Sequence, residues 1–216
     1  MEVTLKNVGK KYIKQKRSVN VLENFSYKFK SGNLYVLKGE SGTGKTTLLS
    51  LIALLQDLSE GEIFFNNDLV SKYSTRKKNN LRRDYLSIVF QDYNLFNKLS
   101  VTENVILMQV CENKIPKKKA TKLADDILSR LGIAHRKTHY PYELSGGEQQ
   151  RVGIARAIIN NPEILICDEP ISNLDAKNSE EIVEFINEYC HVSKKIVIVA
   201  NHGTQFDKYA DSIIKM

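Results

Sequence analysis

The stretch "LYVLKGESGTGKTTLL", Leu34 to Leu49, decides how the chain folds. Its first five residues are nearly all apolar, as a strand buried on both faces requires. A glycine-rich segment follows, and "KTTLLSLIALL" then continues as a helix. Within it, "GESGTGKT" matches the P-loop pattern G-x-x-x-x-G-K-[ST] in full, in the strand–loop–helix context that gives the pattern meaning. By chance such a string arises in on the order of one chain in a hundred of this size. Backbone N–H groups from Gly42 to Lys45 would wrap phosphates, Lys45 would reach the β- and γ-phosphates, and Thr46 would hold Mg²⁺. The expected nucleotide-binding loop is therefore Gly39, Glu40, Ser41, Gly42, Thr43, Gly44, Lys45, Thr46 and Thr47.

The segments on either side extend the pattern. "VTLKNV" and "NFSYKF" alternate apolar and polar residues, as half-buried antiparallel strands do, and "GEIFFNN" reads as a further strand and turn. "LSIVF", "EILIC" and "KIVIVA" lack a polar face and alternate with helices, which indicates a parallel sheet covered on both sides. A short closing strand is expected near "DSIIKM", and a helix from about Lys177 to Cys190. Between them the character changes. "SVTENVILMQV" is a helix behind a serine or threonine cap, and "PKKKATKLADDILSRLG" places Ala120, Leu123, Ala124, Ile127, Leu128 and Leu131 at helical steps between Pro116 and Gly132. The expected fold class is α/β: a P-loop NTPase core with a mainly parallel sheet, an N-terminal antiparallel β subdomain and an inserted α-helical subdomain. Residues 1–91 and 143–216 form the core of a single 1–216 domain, and 92–142 the helical insertion.

Composition narrows the function classes. With 216 residues, 42% apolar and 26% charged, the chain can bury about 70% of its unfolded surface. The longest apolar run, "LLSLIALL", falls short of the ~20 residues of a membrane-spanning helix. The first residues, "MEVTLKNV", carry no apolar signal region, so a cytosolic location is expected without direct membrane insertion. Cys111, Cys167 and Cys190 lack ligand spacing and suit a reducing compartment. The net charge of +7 resides in separate runs: Lys10 to Arg17; Arg76 to Lys78 with Arg82 and Arg83; and Lys117 to Lys119. No aromatic residues interleave with them as a single-strand groove would need, so solvated surface is the reading and no nucleic-acid partner is expected. His135 and His139, four apart but without a helix pattern or acidic neighbours, are read as surface residues.

Two further segments carry chemistry. In "EILICDEP" a buried strand ends in two carboxylates, and a buried strand tolerates charge only at its exposed end. Asp168 is placed for the Mg²⁺ shell and Glu169 for a water beside the γ-phosphate. "YPYELSGGEQQR" holds a second phosphate device, two glycines opening a helix whose N-terminus offers free N–H donors.

Taken with the P-loop and the acidic strand end, "LSGGEQQR" resembles the signature of ATP-binding cassette (ABC) ATPases, and the resemblance spans essentially the whole chain. It implies an ATPase converting ATP and water to ADP and phosphate with Mg²⁺. It also implies a head-to-tail homodimer, in which each ATP lies between one copy's P-loop and the other's signature. Ser145, Gly146, Gly147 and Glu148 would then meet the partner's γ-phosphate. The resemblance further assigns Tyr12 to adenine stacking, Gln91 to the Mg²⁺ and water, Asp175 to communication between the sites, and His202 to the γ-phosphate. The chain departs from the family at Ile171, Ser172 and Asn173, where Thr–Ser–Ala is usual, and in "NHG", where "THD" is commoner. "VFQDYNLFNKLSVTENV" and the length resemble the macrolide-export and lipoprotein-release group, whose ATPases drive a separate integral-membrane permease from its inner face. That implies export of a peptide, antimicrobial or lipoprotein, or force transmission. Alternatives are a soluble ABC ATPase on nucleic acid or ribosomes, against which stand the single cassette and the lack of sustained heptads, and a cell-division cassette regulating a wall hydrolase.

Overall fold

The computed structural model describes residues 1–14, 17–112, 115–172 and 174–216; Lys16 of the first basic run and Asn173 lie outside the described residues. Alternating sequence makes one sheet. Strands β1 (Glu2–Lys14), β2 (Arg17–Lys30), β4 (Glu60–Phe65) and β5 (Asp68–Leu69) form an antiparallel sheet in the order β2-β1-β4-β5. On β1, Val3, Leu5 and Val8 are buried, and a register shift between Leu5 and Val8 keeps all three facing inward.

Continuous apolar sequence makes the other. Strands β3 (Asn33–Lys38), β6 (Leu86–Val89), β7 (Ile164–Asp168), β8 (Ile196–Ala200) and β9 (Ser212–Lys215) form a wholly parallel sheet in the order β6-β7-β8-β3-β9. Successive side chains point to opposite faces, and the core divides accordingly. Leu34, Val36, Leu165, Cys167, Val197 and Val199 join one apolar cluster with helices α5 (Gly146–Ile158) and α6 (Ala176–Ser193). Their neighbours Tyr35, Leu37, Ile164, Ile166, Ile196 and Ile198 join a second with helix α1 (Lys45–Ile52) and the antiparallel sheet. Burial on both faces is why these strands carry no polar stripe.

Between β6 and α5 lie the expected helices, α3 (Val101–Cys111) and α4 (Lys117–Arg130), which pack on each other and on α5. Ser100 caps α3 in a capping box: its hydroxyl accepts the Glu103 N–H at 3.3 Å, and Glu103 accepts the Ser100 N–H at 2.9 Å. The α4 stripe is narrower than its sequence spacing predicts. Ala120, Ala124 and Leu128 are fully buried, whereas Leu123 is 38% exposed. The small alanines let α4 approach its neighbours closely along one line, and Leu123 falls at the edge of that line.

One helix departs from the sequence reading. The run around Arg76 to Arg83 is surface, as expected, but it is also helical: α2 (Thr75–Tyr85) buries no residue. A helix polar all round has no apolar period to reveal it; the Ser74 cap is its one signal. The basic runs sit on separate elements, α2, the start of α4 and the β1–β2 pair. The cysteines form no disulfide, and burial pushes the Cys190 thiol up to about 12, so it acts as an apolar filler.

Truncating Leu128 to alanine is expected to destabilise the chain by about 2–5 kcal/mol, measured by urea unfolding. Leu123→Ala on the same helix is expected to cost less than about 1 kcal/mol, since little area leaves water there.

Candidate nucleotide site

The loop between β3 and α1 curls around its own lysine. Lys45 is buried, and its Nζ donates to the carbonyl oxygens of Gly39 and Glu40 at 2.8 Å each, which compensates a cation that burial would otherwise penalise. The Thr43 hydroxyl donates to Glu40 O at 3.0 Å. Gly44 has φ 95°, and a Cβ there would stand 2.8 Å from the Val21 carbonyl oxygen of β2. Only glycine fits that turn. Helix α1 begins directly after it with no side-chain cap and no acidic residue in its first turn. Its orphan N–H groups and positive dipole end are thus left for an anion. They open into a cavity of about 260 Å³ lined by Val21, Ser41, Gly42, Gly44, Lys45, Thr46 and Thr47 on one side and by Glu169 and His202 on the other.

The carboxyl edge of the parallel sheet supplies that second side. Asp168 ends β7, half-buried beneath the loop. Burial raises its pKa and the neighbouring Glu169 charge adds to this, while a hydrogen bond with the Thr46 side chain and the positive charges of Lys45 and His202 pull it down. The net shift is upward: this carboxyl holds its proton more firmly than an ordinary aspartate. Glu169 takes a left-handed backbone, φ 48°, which a glutamate adopts at some cost. The bond from its N–H to Ala200 O, 2.9 Å, holds it there. The turn swings its carboxylate away from the sheet to meet His202 Nε2 at 2.8 Å.

The second glycine device lies elsewhere. Ser145 caps α5 in a capping box, accepting the Glu148 N–H at 3.3 Å while Glu148 accepts the Ser145 N–H at 2.8 Å. Ser145, Gly146, Gly147 and Glu148 do not border the P-loop cavity. A Cβ on Gly146 would meet the Tyr93 hydroxyl at 3.1 Å, and one on Gly147 would meet Leu174 at 3.3 Å. Burial opposes ionisation of Glu148, but the Ser145 N–H and Arg136 hold its carboxyl below the usual range. Arg136 Nε lies 2.9 Å from it. His135 is exposed as expected, with Nε2 3.8 Å from Glu148. His139 is not a free surface residue: it is half-buried with Nε2 3.2 Å from the Arg136 guanidinium. No group of residues suited to hold a metal without nucleotide occurs among the described residues.

The other expected positions are also apart from the cavity. Tyr12 is partly exposed, its hydroxyl donating to Gln56 Oε1 at 2.5 Å, with Lys10 Nζ 5.1 Å from its ring centre. Gln91 is exposed in the turn after β6. Asp175 caps α6, accepting the Asn178 N–H at 2.8 Å. Ile171, at the departure before Asp175, is buried in the main core.

Two arginines escaped the sequence reading. Arg151, buried, donates to Leu131 O, Asn178 Oδ1 and Glu181 Oε2 at 2.7–2.8 Å and so ties α5 to α6. Arg156 donates to the carbonyls of Tyr93 and Asn94 at 2.7 and 2.6 Å, pinning the turn that follows Gln91. Their signal was present: charged residues interrupting the apolar run "RVGIARAII".

This fold and loop define a nucleotide-binding cassette, and comparison places it. The profile of the ABC transporter family matches residues 22–172, and the chain belongs to that family as an ATP-binding cassette of the ATPase type. It is 37% identical over 214 residues to the lipoprotein-releasing system ATP-binding protein LolD of Francisella tularensis subsp. holarctica (strain OSU18), covering 99% of this chain and 93% of that one. The cassette MJ0796, described as a bacterial ABC transporter cassette and solved as a dimer, superposes with a TM-score of 0.93 at 32% identity over 99% of this chain and 94% of that one. A second MJ0796 structure, a dimer in a post-hydrolysis state bound to ADP and Pi, gives the same score and coverage at 33% identity.

Gly44→Ala is expected to weaken binding of a fluorescent ATP analogue by on the order of tenfold or more, because the loop must abandon its left-handed turn. The far-ultraviolet circular dichroism of the variant should match that of the parent.

Proposed function

We propose that the chain hydrolyses ATP as a head-to-tail pair and drives a separate membrane permease. One observation carries this reading. Lys45, Thr46, Glu169 and His202 share one cavity, whereas the Ser145–Gly147 turn lies outside it. A triphosphate on the P-loop would be gripped on one side only, and a second copy's signature supplies the missing donors. The dimeric MJ0796 cassettes support the arrangement.

In this reading Lys45 leaves its own carbonyls for the β- and γ-phosphates, and His202 stabilises charge on the γ-phosphoryl group. The partner's signature hydroxyl and N–H groups approach that group from the other side. Glu169 orients the attacking water and takes its proton, with His202 2.8 Å away to fix the carboxylate. The hydrogen-bonded pair of Thr46 and Asp168 suits Mg²⁺, since both offer oxygen ligands and the half-buried carboxyl lacks a full counter-charge. Thr46 and Asp168 would hold the ion, which would supply charge neutralisation for the phosphates. Gln91, which is exposed, would reach this site only when the turn fixed by Arg156 moves. Tyr12 offers a partly exposed ring for the base, and Asp175 couples the sites through Asn178 and Arg151. Loss of the γ-phosphate removes the bond between copies, so they separate.

No described helix is long and apolar enough to cross a membrane, so a permease would supply the membrane segments. A groove of about 510 Å³ between α2 and the inserted helices supports docking: Phe90, Phe96 and Met108 line it with Arg82, Arg83 and Arg156, of which Arg83 is paired with Asp84 at 2.8 Å. It suits an apolar permease helix with an acidic residue, at the cytoplasmic membrane face. The likeness to LolD, named for lipoprotein release, supports a lipoprotein as cargo, with a peptide, an antimicrobial or force transmission as the alternatives.

Glu169→Gln is expected to keep ATP affinity, lose turnover and elute from size exclusion as a dimer with ATP; a monomer at every ATP concentration contradicts the shared site. Mg²⁺ affinity should fall with pH. Because the Asp168 pKa is raised, its charged form is lost as pH drops through a value above the ordinary aspartate range. Mg²⁺ titrations of the ATP-bound chain across pH should show that loss as pH drops, and Asp168→Asn should weaken Mg²⁺ binding and leave only the pH dependence of the nucleotide's own phosphates.

A further inference from the structure

His202 stands on a short turn with little backbone support. Among the described residues, the only backbone–backbone bond of the segment from Asn201 to Gly203 runs from Asn201 N–H to Leu37 O, 3.3 Å. Yet the imidazole meets Glu169 at 2.8 Å while 44% of its side chain is exposed. Something other than the main chain must fix it.

A side-chain bridge does so. Asn201, only 4% exposed, carries its amide over residue 202: Nδ2 donates to Gly203 O at 3.2 Å and, at 3.4 Å, to Gln205 Oε1. Gln205 in turn occupies the volume that a side chain at 203 would take. A Cβ on Gly203 would stand 1.9 Å from Gln205 Oε1 and 2.9 Å from its Cδ. Gln205 is itself exposed, and the absent side chain at 203 leaves room for its amide to fold back toward Asn201. Asn201, His202, Gly203 and Gln205 also wall a second cavity, about 480 Å³, that borders Glu169 from outside the nucleotide cavity. Movement of the turn into that space would draw His202 away from Glu169.

We infer that Asn201 and Gln205 are positioning residues for the ATPase reaction, a polar clasp that locks the turn and holds His202 against Glu169. The clasp requires a donor at 201 and an acceptor at 205. It acts on turnover, because the nucleotide cavity is lined by neither residue. Displacing a reacting group by about 1 Å costs on the order of a hundredfold in rate.

The full-length chain with Mg²⁺ and ATP tests this. Asn201→Asp removes the donor and sets a carboxylate against two oxygens; Gln205→Met removes the acceptor at similar volume. Both are expected to lower kcat by about tenfold or more with KM for ATP nearly unchanged; the thermal midpoint should hold for Gln205→Met and drop for Asn201→Asp, which buries a charge. Gln205→Glu, which keeps an acceptor, should retain most of kcat. The inference is overturned if Gln205→Met turns over at the parental rate, or if Gln205→Glu loses as much as Gln205→Met. Activity of the parent chain in the same assay tests the ATPase reading separately.

Discussion

A parallel sheet buried on both faces cannot hold charge along its strands, and the site follows from that constraint. Every strand of the β6-β7-β8-β3-β9 sheet runs in one direction, so polar residues collect where the strands end together. The P-loop after β3, Asp168 and Glu169 at the end of β7, and His202 after β8 meet there because no earlier position would tolerate them. The two core clusters fix that edge from either face. An apolar interior thereby sets the relative positions of a lysine, two carboxylates and an imidazole.

The P-loop and the signature use the same physics in different settings. Both expose orphan N–H groups at a helix start. Helix α1 leaves its first turn uncapped and free of acid, which favours direct anion binding. Helix α5 has a capping box, and Glu148 places negative charge at the same end. Arg136 offsets that charge at 2.9 Å, so the signature is organised without ligand while the P-loop is completed by one. In the proposed pairing a preformed surface closes on a loop already holding nucleotide. The contrast explains why one chain needs both devices and why neither substitutes for the other.

Much of this was legible in the sequence, for reasons that particular residues show. "LYVLK", "EILIC" and "KIVIVA" announce buried strands because no polar residue interrupts them, and "GESGTGKT" announces its loop because each residue type answers a geometric need. Less legible was whatever depends on contacts distant in sequence. Helix α2 has no apolar period, and Leu123 fits the α4 stripe by spacing yet falls outside the packing line. Arg151 is buried because α6 supplies Asn178 and Glu181. The "NHG" departure reads as a lost carboxylate until Gln205 is seen folded against Gly203.

If each ATP is completed by two copies of the chain, two variants broken in different halves of the site must complement each other on mixing. Lys45→Ala disables a P-loop and leaves its signature intact; Ser145→Arg does the reverse. Each variant alone should be inactive, since every site in either pair contains one broken half. In a mixed pair one site joins the intact P-loop of one copy to the intact signature of the other, so ATP turnover should return on mixing and rise with the fraction of mixed pairs. A mixture as inactive as its components would contradict the shared site.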